Sequence, residues 1–223
     1  MKTIQITRLA LILLTLAFLN GCANLGVLKP QPDTTRFYFL ETEPEGEAKT
    51  DFNNQGLAIV LGPSTVAKYL DQSQIVTLEG HNQLIYSDRN RWAEPLDESV
   101  NRLLIYQLAR SLDTARISFS RMTGTFDYDY RIGYHIYELG GRLNETVQLK
   151  VAWWVLSRDG EKSHYDGSMY TEEVAGDSFE DYVNAIQAAI MDWSRDITRT
   201  VAEMDNQPSA NSMSTSGSDP TSR

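Results

Sequence analysis

This chain of 223 residues contains one cysteine, Cys22, and that scarcity closes off several chemistries at once. A disulfide needs two thiols, and CxxC metal or redox motifs need at least a pair. The only three histidines, His81, His135 and His164, stand at no spacing typical of metal ligands. Basic residues are also short, 20 Lys and Arg against 30 Asp and Glu, for a formal net charge of −10. An acidic chain is repelled by phosphate backbones, which excludes nucleic acid as a partner. No glycine-rich phosphate loop is present, because Gly62-Pro63-Ser64 lacks the lysine such loops use, so the chain does not itself hydrolyse ATP. The apolar run from Leu9 to Leu19, broken only by Thr15, falls well short of the roughly 20 residues a membrane-spanning helix needs.

That short run has another meaning. Lys2 and Arg8 precede it and Leu19-Asn20-Gly21-Cys22 closes it, the order of charged start, apolar core and small residue that marks a secretory signal. An ordinary signal more often has small residues one and three before the cut, and Leu19 is not small. A Leu three residues before Cys, with Gly directly before it, resembles the bacterial lipobox. That resemblance implies a diacylglyceryl group on Cys22, removal of residues 1–21 and Cys22 as the lipidated first residue. Ala23, rather than Asp, in the next position resembles the signal for the outer membrane rather than retention at the inner one. Loss of Lys2 and Arg8 leaves 18 basic against 30 acidic residues, a mature charge of 18 − 30 = −12. Acyl chains, not a basic patch, then hold the protein to the membrane. The lipid on Cys22 is the only non-protein group expected, with no cofactor and no metal.

The remaining chain divides by composition. Residues 22–35, with Pro30 and Pro32, read as a lipidated tether, which at ~3.3 Å per residue reaches ~40 Å at full stretch. From Asp205 to Arg223 the sequence is Ser, Thr, Asn, Pro and Gly without an apolar pattern, a disordered tail. Residues 36–204 form one domain, long enough for a single sizeable core. Arg36 to Leu40 is a β-rich first strand. Leu57 to Leu61 is a short buried strand stopped by Gly62-Pro63, and Val66 to Leu70 suits one or two helical turns. Ile75 to Leu78 and Leu84 to Tyr86 are further strands, and Ile117 to Phe119 another. A helix begins near Pro95, with Asp97 and Glu98 in its first turn and Leu96, Val100, Leu103, Leu104, Leu108 and Leu112 on one face. Tyr128, Tyr130, Ile132, Tyr134 and Ile136 alternate with polar residues. Val147 to Val155 alternates again, and Arg158-Asp159-Gly160-Glu161 turns the chain into a third antiparallel strand over His164–Thr171. The last long helix opens at Ser178 with Asp181 at capping-box spacing, and carries a stripe from Phe179 through Trp193 to Val201. The expected fold is α+β, a mostly antiparallel sheet with two long helices packed on it.

In this order Phe37-Tyr38-Phe39-Leu40, Ile59-Val60-Leu61-Gly62-Pro63, Tyr69-Leu70-Asp71 with Gln74-Ile75-Val76, and Arg91-Trp92-Ala93-Glu94-Pro95-Leu96 resemble the ABC-type transport auxiliary lipoprotein family. A late Trp in the meander and Tyr182-Val183 in the closing helix fit as well. The resemblance covers Phe37 to Met204, and departs from the family at Ala67-Lys68, where a proline is expected. It implies a non-catalytic outer-membrane lipoprotein facing the periplasm, auxiliary to an MCE- or ABC-linked system that moves lipid between membranes. Its partners would be a periplasm-spanning MCE-domain protein and that protein's inner-membrane components, and a homo-oligomer is compatible with this role.

Enzyme readings find little. Gly176-Asp177-Ser178-Phe179 resembles the first block of GDSL-type esterases, but it opens the last helix and no histidine follows His164, so a helix cap is the simpler reading. His135 and His164 fall in strands that can neighbour each other, and Asp127 and Asp129 read as a solvated strand start. Arg91, Trp92 and Glu94 are candidates for partner docking, or else Trp92 closes the core at the helix start with Glu94 near its cap. The tyrosine strand and Trp153 either pack against a helix or line a lipid pocket, which would make the protein a periplasmic lipid-binding module.

Overall fold

A computed structural model describes residues 33–42, 55–80, 82–119 and 127–207. The signal, Cys22, most of the tether, His81 and the chain beyond Gln207 lie outside them. Successive elements are β1 (Arg36–Tyr38), β2 (Ile59–Val66), a single 3-10 turn (Lys68–Leu70), β3 (Gln74–Glu79), β4 (Gln83–Trp92) and α1 (Leu96–Ser111). After these come β5 (Ile117–Phe119), β6 (Tyr130–Gly141), β7 (Thr146–Ser157), β8 (Ser163–Glu173) and α2 (Phe179–Asn206).

The strands form two sheets, ordered β1-β4-β3 and β5-β2-β6-β7-β8. The expected α+β fold, mostly antiparallel strands with two long helices packed on them, is found, with the refinement that both sheets are mixed. The meander β6-β7-β8 and the β3-β4 hairpin are antiparallel, but β1 runs parallel to β4 and β2 parallel to both neighbours. Gly62-Pro63 does not stop β2 either. The pair forms a bulge between Leu61 and Ser64, after which pairing with β6 resumes, so the proline's missing donor falls where the ladder is already interrupted.

Alternation decides which face is buried. Tyr130, Ile132, Tyr134 and Ile136 of β6 and Val147, Leu149, Val151, Trp153 and Val155 of β7 are all at most 4% exposed. Against them lie Tyr182, Ile186, Ile190, Trp193, Ile197 and Val201 of α2, spaced to keep one stripe inward. Both ends of α2 are capped. Ser178 Oγ accepts the Asp181 N–H at 3.0 Å and donates to Asp181 Oδ2 at 2.6 Å, satisfying a first-turn donor. At the far end the Lys162 ammonium, on the β7–β8 turn, donates to the Met204 and Gln207 carbonyls, both at 2.7 Å, where the helix dipole is negative. The helix runs on to Asn206, so Asp205 and Asn206 belong to it rather than to the tail.

Two buried hydroxyls join the layers. Tyr134 donates to Asn101 Oδ1 of α1 at 2.8 Å, and Asn101 Nδ2 donates to Ser64 Oγ of β2 at 3.2 Å. Tyr182 of α2 accepts the Gly141 N–H at 2.8 Å and donates to the Val76 carbonyl of β3 at 2.9 Å, tying the helix to both sheets. Burial pushes the Tyr182 hydroxyl up to about 12, so it stays protonated and able to donate. Tyr182→Phe keeps the ring but strands both backbone groups. The expected loss is about 1–3 kcal/mol in chemical denaturation, and a loss below about 0.5 kcal/mol would show that water replaces the hydroxyl.

Candidate functional site

Arg91, Trp92 and Glu94 stand where β4 gives way to α1, held by pairing on both sides. Arg91 lies opposite Phe37 of β1 and Gln74 of β3, so β4 runs longer than the alternation around Leu84–Tyr86 suggests. The Trp92 N–H donates to the Ser73 carbonyl at 2.7 Å, and the Ala93 N–H to the Tyr38 carbonyl at 2.8 Å. Trp92 is only 6% exposed and belongs to the main core. Glu94 Oε1 accepts from Ser99 Oγ at 2.6 Å and Arg102 Nε at 3.1 Å, and Arg102 Nη2 reaches the same oxygen. The Ser99 hydroxyl holds the Glu94 carboxyl below its usual range; partial burial opposes this and Arg102 reinforces it. Of the three, Trp92 and Glu94 are thus occupied by their own chain, and Arg91 is left facing outward. Its guanidinium reaches Ser73 Oγ at a long 3.5 Å. Beside it a depression of about 350 Å³ is lined by Asp71, Ser73, Trp92, Glu94 and Leu96.

A second depression, of about 410 Å³, opens between β3 and the β6–β7 turn, lined by Tyr69, Leu78, Leu84, Leu139, Arg142 and Gln148. The Arg142 guanidinium is engaged there, bonding Glu145 Oε2 at 2.9 Å and the Gly80 carbonyl. A third, of about 520 Å³, lies by Leu57, Tyr130, Arg158 and Asp205. Burial first, then the Asp205 carboxylate, pushes the Tyr130 hydroxyl up to about 12. None of the three is lined by Tyr134, Trp153 or Trp193. Those side chains are at most 2% exposed, and the Tyr134 ring meets Trp193 edge-on at 4.9 Å. At Tyr134 the tyrosine strand is core rather than pocket wall, and of its tyrosines only Tyr130, at its start, borders one of these depressions.

The other candidates separate. His135 and His164 do not share a site, because β7 lies between β6 and β8. His135 bonds Thr65 Oγ1 at 2.6 Å, whereas His164 packs on Trp153 at 5.1 Å. Asp127 and Asp129 are not simply a solvated strand start. Asp129 Oδ2 accepts the Ala58 N–H at 2.7 Å, pinning the approach to β2, and Asp127 pairs with Arg158. Ser178 is the helix cap already described. Among the described residues no group of three His, Cys, Asp or Glu could hold a metal ion.

One feature of the surface escapes sequence reasoning. In the run Phe37-Tyr38-Phe39-Leu40 all four residues look like core, yet Phe37 and Phe39 are 64% and 55% exposed while Leu40 is fully buried. Period-two alternation was the available signal, but without a polar residue in the run nothing says which parity faces out.

A family profile for the ABC-type transport auxiliary lipoprotein component matches residues 38–198. No curated protein matches the chain. Among solved structures, an uncharacterized protein superposes with a TM-score of 0.61 at 17% identity, covering 75% of this chain and 99% of its own. Protein XCC0632 from Xanthomonas campestris superposes with a TM-score of 0.60 at 10% identity, covering 78% of this chain and 100% of its own. At such identities the likeness is one of fold.

Proposed function

The chain belongs to the ABC-type transport auxiliary lipoprotein component family, and from that premise we propose that it is a non-catalytic lipoprotein of the outer membrane. In this reading it is held on the periplasmic face by acyl chains on Cys22 and receives an MCE-domain protein that spans the periplasm from inner-membrane components. The observation that carries the reading is the family match over residues 38–198, which takes in every element from β2 to α1 and the whole meander. The mechanism is positional: the lipid fixes the site, residues 22–35 set the reach, and the domain offers a docking surface at the depression lined by Asp71, Trp92 and Glu94.

The solid core favours this over the lipid-binding module. A domain that carried its own lipid would need a cavity of some 300 Å³ or more lined mainly by apolar groups. The residues best suited to line one, Tyr134, Trp153 and Trp193, are packed on each other and on α2 instead. The test is an affinity pull-down from detergent-solubilised envelopes, with Asp71→Arg, which reverses the charge in the docking depression, beside the unaltered protein. An MCE-domain protein is expected with the unaltered chain and in reduced yield with the variant. Stoichiometric lipid on the purified domain, with no MCE-domain protein recovered, would overturn the proposal in favour of a lipid carrier.

A further inference from the structure

Strand β1 is the edge of the three-stranded sheet, and it follows directly on the segment that leads from Cys22. Two large apolar side chains stand out from it, Phe37 and Phe39, 64% and 55% exposed. Phe37 lies level with Arg91 of β4, and Arg89 is two residues back along the same strand, with Arg36 at the head of β1. Arg102, Arg142, Arg158, Arg195 and Arg199 each pair with a carboxylate, and Arg116 and Arg131 bond the Gly56 carbonyl and the Tyr128 hydroxyl. Arg91 reaches Ser73 Oγ at a long 3.5 Å, and among the described residues no carboxylate pairs with Arg89 or Arg91. In a chain with 30 acidic residues, two guanidinium groups that pair with no carboxylate among the described residues, beside two exposed phenylalanines, form a local exception to the charge of the whole.

We propose that this edge, Phe37 and Phe39 with Arg89 and Arg91, seats the domain on the anionic phospholipid surface that holds its own anchor. Three physical arguments meet there. Guanidinium groups attract and bidentately bond phosphate oxygens, while aromatic rings favour the headgroup boundary. The acidic body is repelled by the same surface, so attraction at one edge and repulsion elsewhere orient the domain rather than merely hold it. Proximity comes from the anchor. From Cys22 to Arg36 is 36 − 22 = 14 residues, and the tether read from the sequence would reach ~20 Å as a random coil, so a contact too weak to recruit a free protein would be well populated in a tethered one. This orientation would leave the rest of the domain facing away from the bilayer. The inference rests on the lipoprotein reading for the anchor alone.

The experiment uses the full lipidated protein in nanodiscs. Mass spectrometry first establishes the acyl groups on Cys22, and their absence would sink the lipoprotein reading whatever the edge does. A Phe37→Trp variant then reports position through quenching by lipids brominated on the acyl chains. The parent chain supplies the baseline, since Trp92, Trp153 and Trp193 are buried and Trp154 lies on the other sheet. Quenching is expected in discs containing phosphatidylglycerol and is expected to be lost in 1 M salt. In an Arg89→Gln/Arg91→Gln background the docking equilibrium constant should fall about fivefold per arginine removed. Equal reporter exposure in phosphatidylglycerol, phosphatidylcholine and detergent would overturn the proposal. So would burial of the reporter that appears only when a protein partner is added, which would make the edge a strand-pairing site instead.

Discussion

A Cys22→Ala chain, exported behind a conventional cleavable signal, is expected to leave the membrane pellet almost entirely and appear in the soluble periplasmic fraction. The size of the effect follows from what else could hold it. Each buried methylene contributes ~0.8 kcal/mol, a single myristoyl chain binds only marginally, and two or more chains together anchor stably. With the thiol replaced, the proposed acyl chains have no point of attachment. Among the described residues no helix is long and apolar enough to cross a membrane. The mature charge of 18 − 30 = −12 offers the body no electrostatic substitute. The Phe37 and Arg91 edge cannot retain it alone, because its contact depends on the proximity the anchor supplies. Export by a conventional signal matters, since an uncleaved leader would hold the chain for an unrelated reason. If the variant stayed in the pellet through an alkaline carbonate wash, the anchor would have to lie elsewhere.

The elements that were legible in sequence are those specified locally. Helix α2 announces itself through Ser178 and Asp181 and a long stripe that no strand could keep on one face, and the cap hydrogen bonds form as the spacing suggests. The β6-β7-β8 meander is equally readable, because strict alternation and the turn at Asp159-Gly160 fix both partner and register. Parallel pairing leaves no such mark. That β2 inserts between β5 and β6, and that β1 joins β4, are decided by segments far apart in sequence, and alternation is blind to partner. Gly62-Pro63 misleads for a related reason: a local breaker reads as an end, while the tertiary ladder absorbs it as a bulge.

The same division runs through the candidate surface. Trp92 and Glu94 are polar or aromatic residues at a strand-to-helix junction, and sequence allows either docking or structure there. Only the geometry shows Trp92 closed into the core and Glu94 consumed by Ser99 and Arg102. Arg91 is separated from them by what is missing around it, a carboxylate, which no spacing rule can anticipate. The exposure of Phe37 and Phe39 is a matter of which parity the parallel partner turns inward, and Asp129 acquires its role from Ala58, 71 residues away.

Gly141→Ala is expected to cost about 3 kcal/mol or more, which at this chain length is a fall of about 6–12 °C in Tm. The reason is the closure of the β6–β7 turn. A Cβ on Gly141 would stand 1.8 Å from the Thr146 carbonyl oxygen and 3.0 Å from Val147 Cα, and both are backbone atoms that no rotamer change can move. Relief requires the turn to open. The Gly141–Val147 pairing would then be lost, and with it the Arg142 N–H bond to Thr146. Tyr182 would suffer too, since its hydroxyl takes the Gly141 N–H. The damage therefore reaches β3 through the Val76 bond. Gly167→Ala is the matched control: on β8, with no atom within 4 Å of the new methyl, it should leave Tm unchanged or slightly raised. Thermal unfolding followed by near-UV circular dichroism separates the two. A Gly141→Ala midpoint within about 3 °C of the parent, the shift expected for about 1 kcal/mol, would mean that the turn opens freely and that Tyr182 does not lock the sheets together.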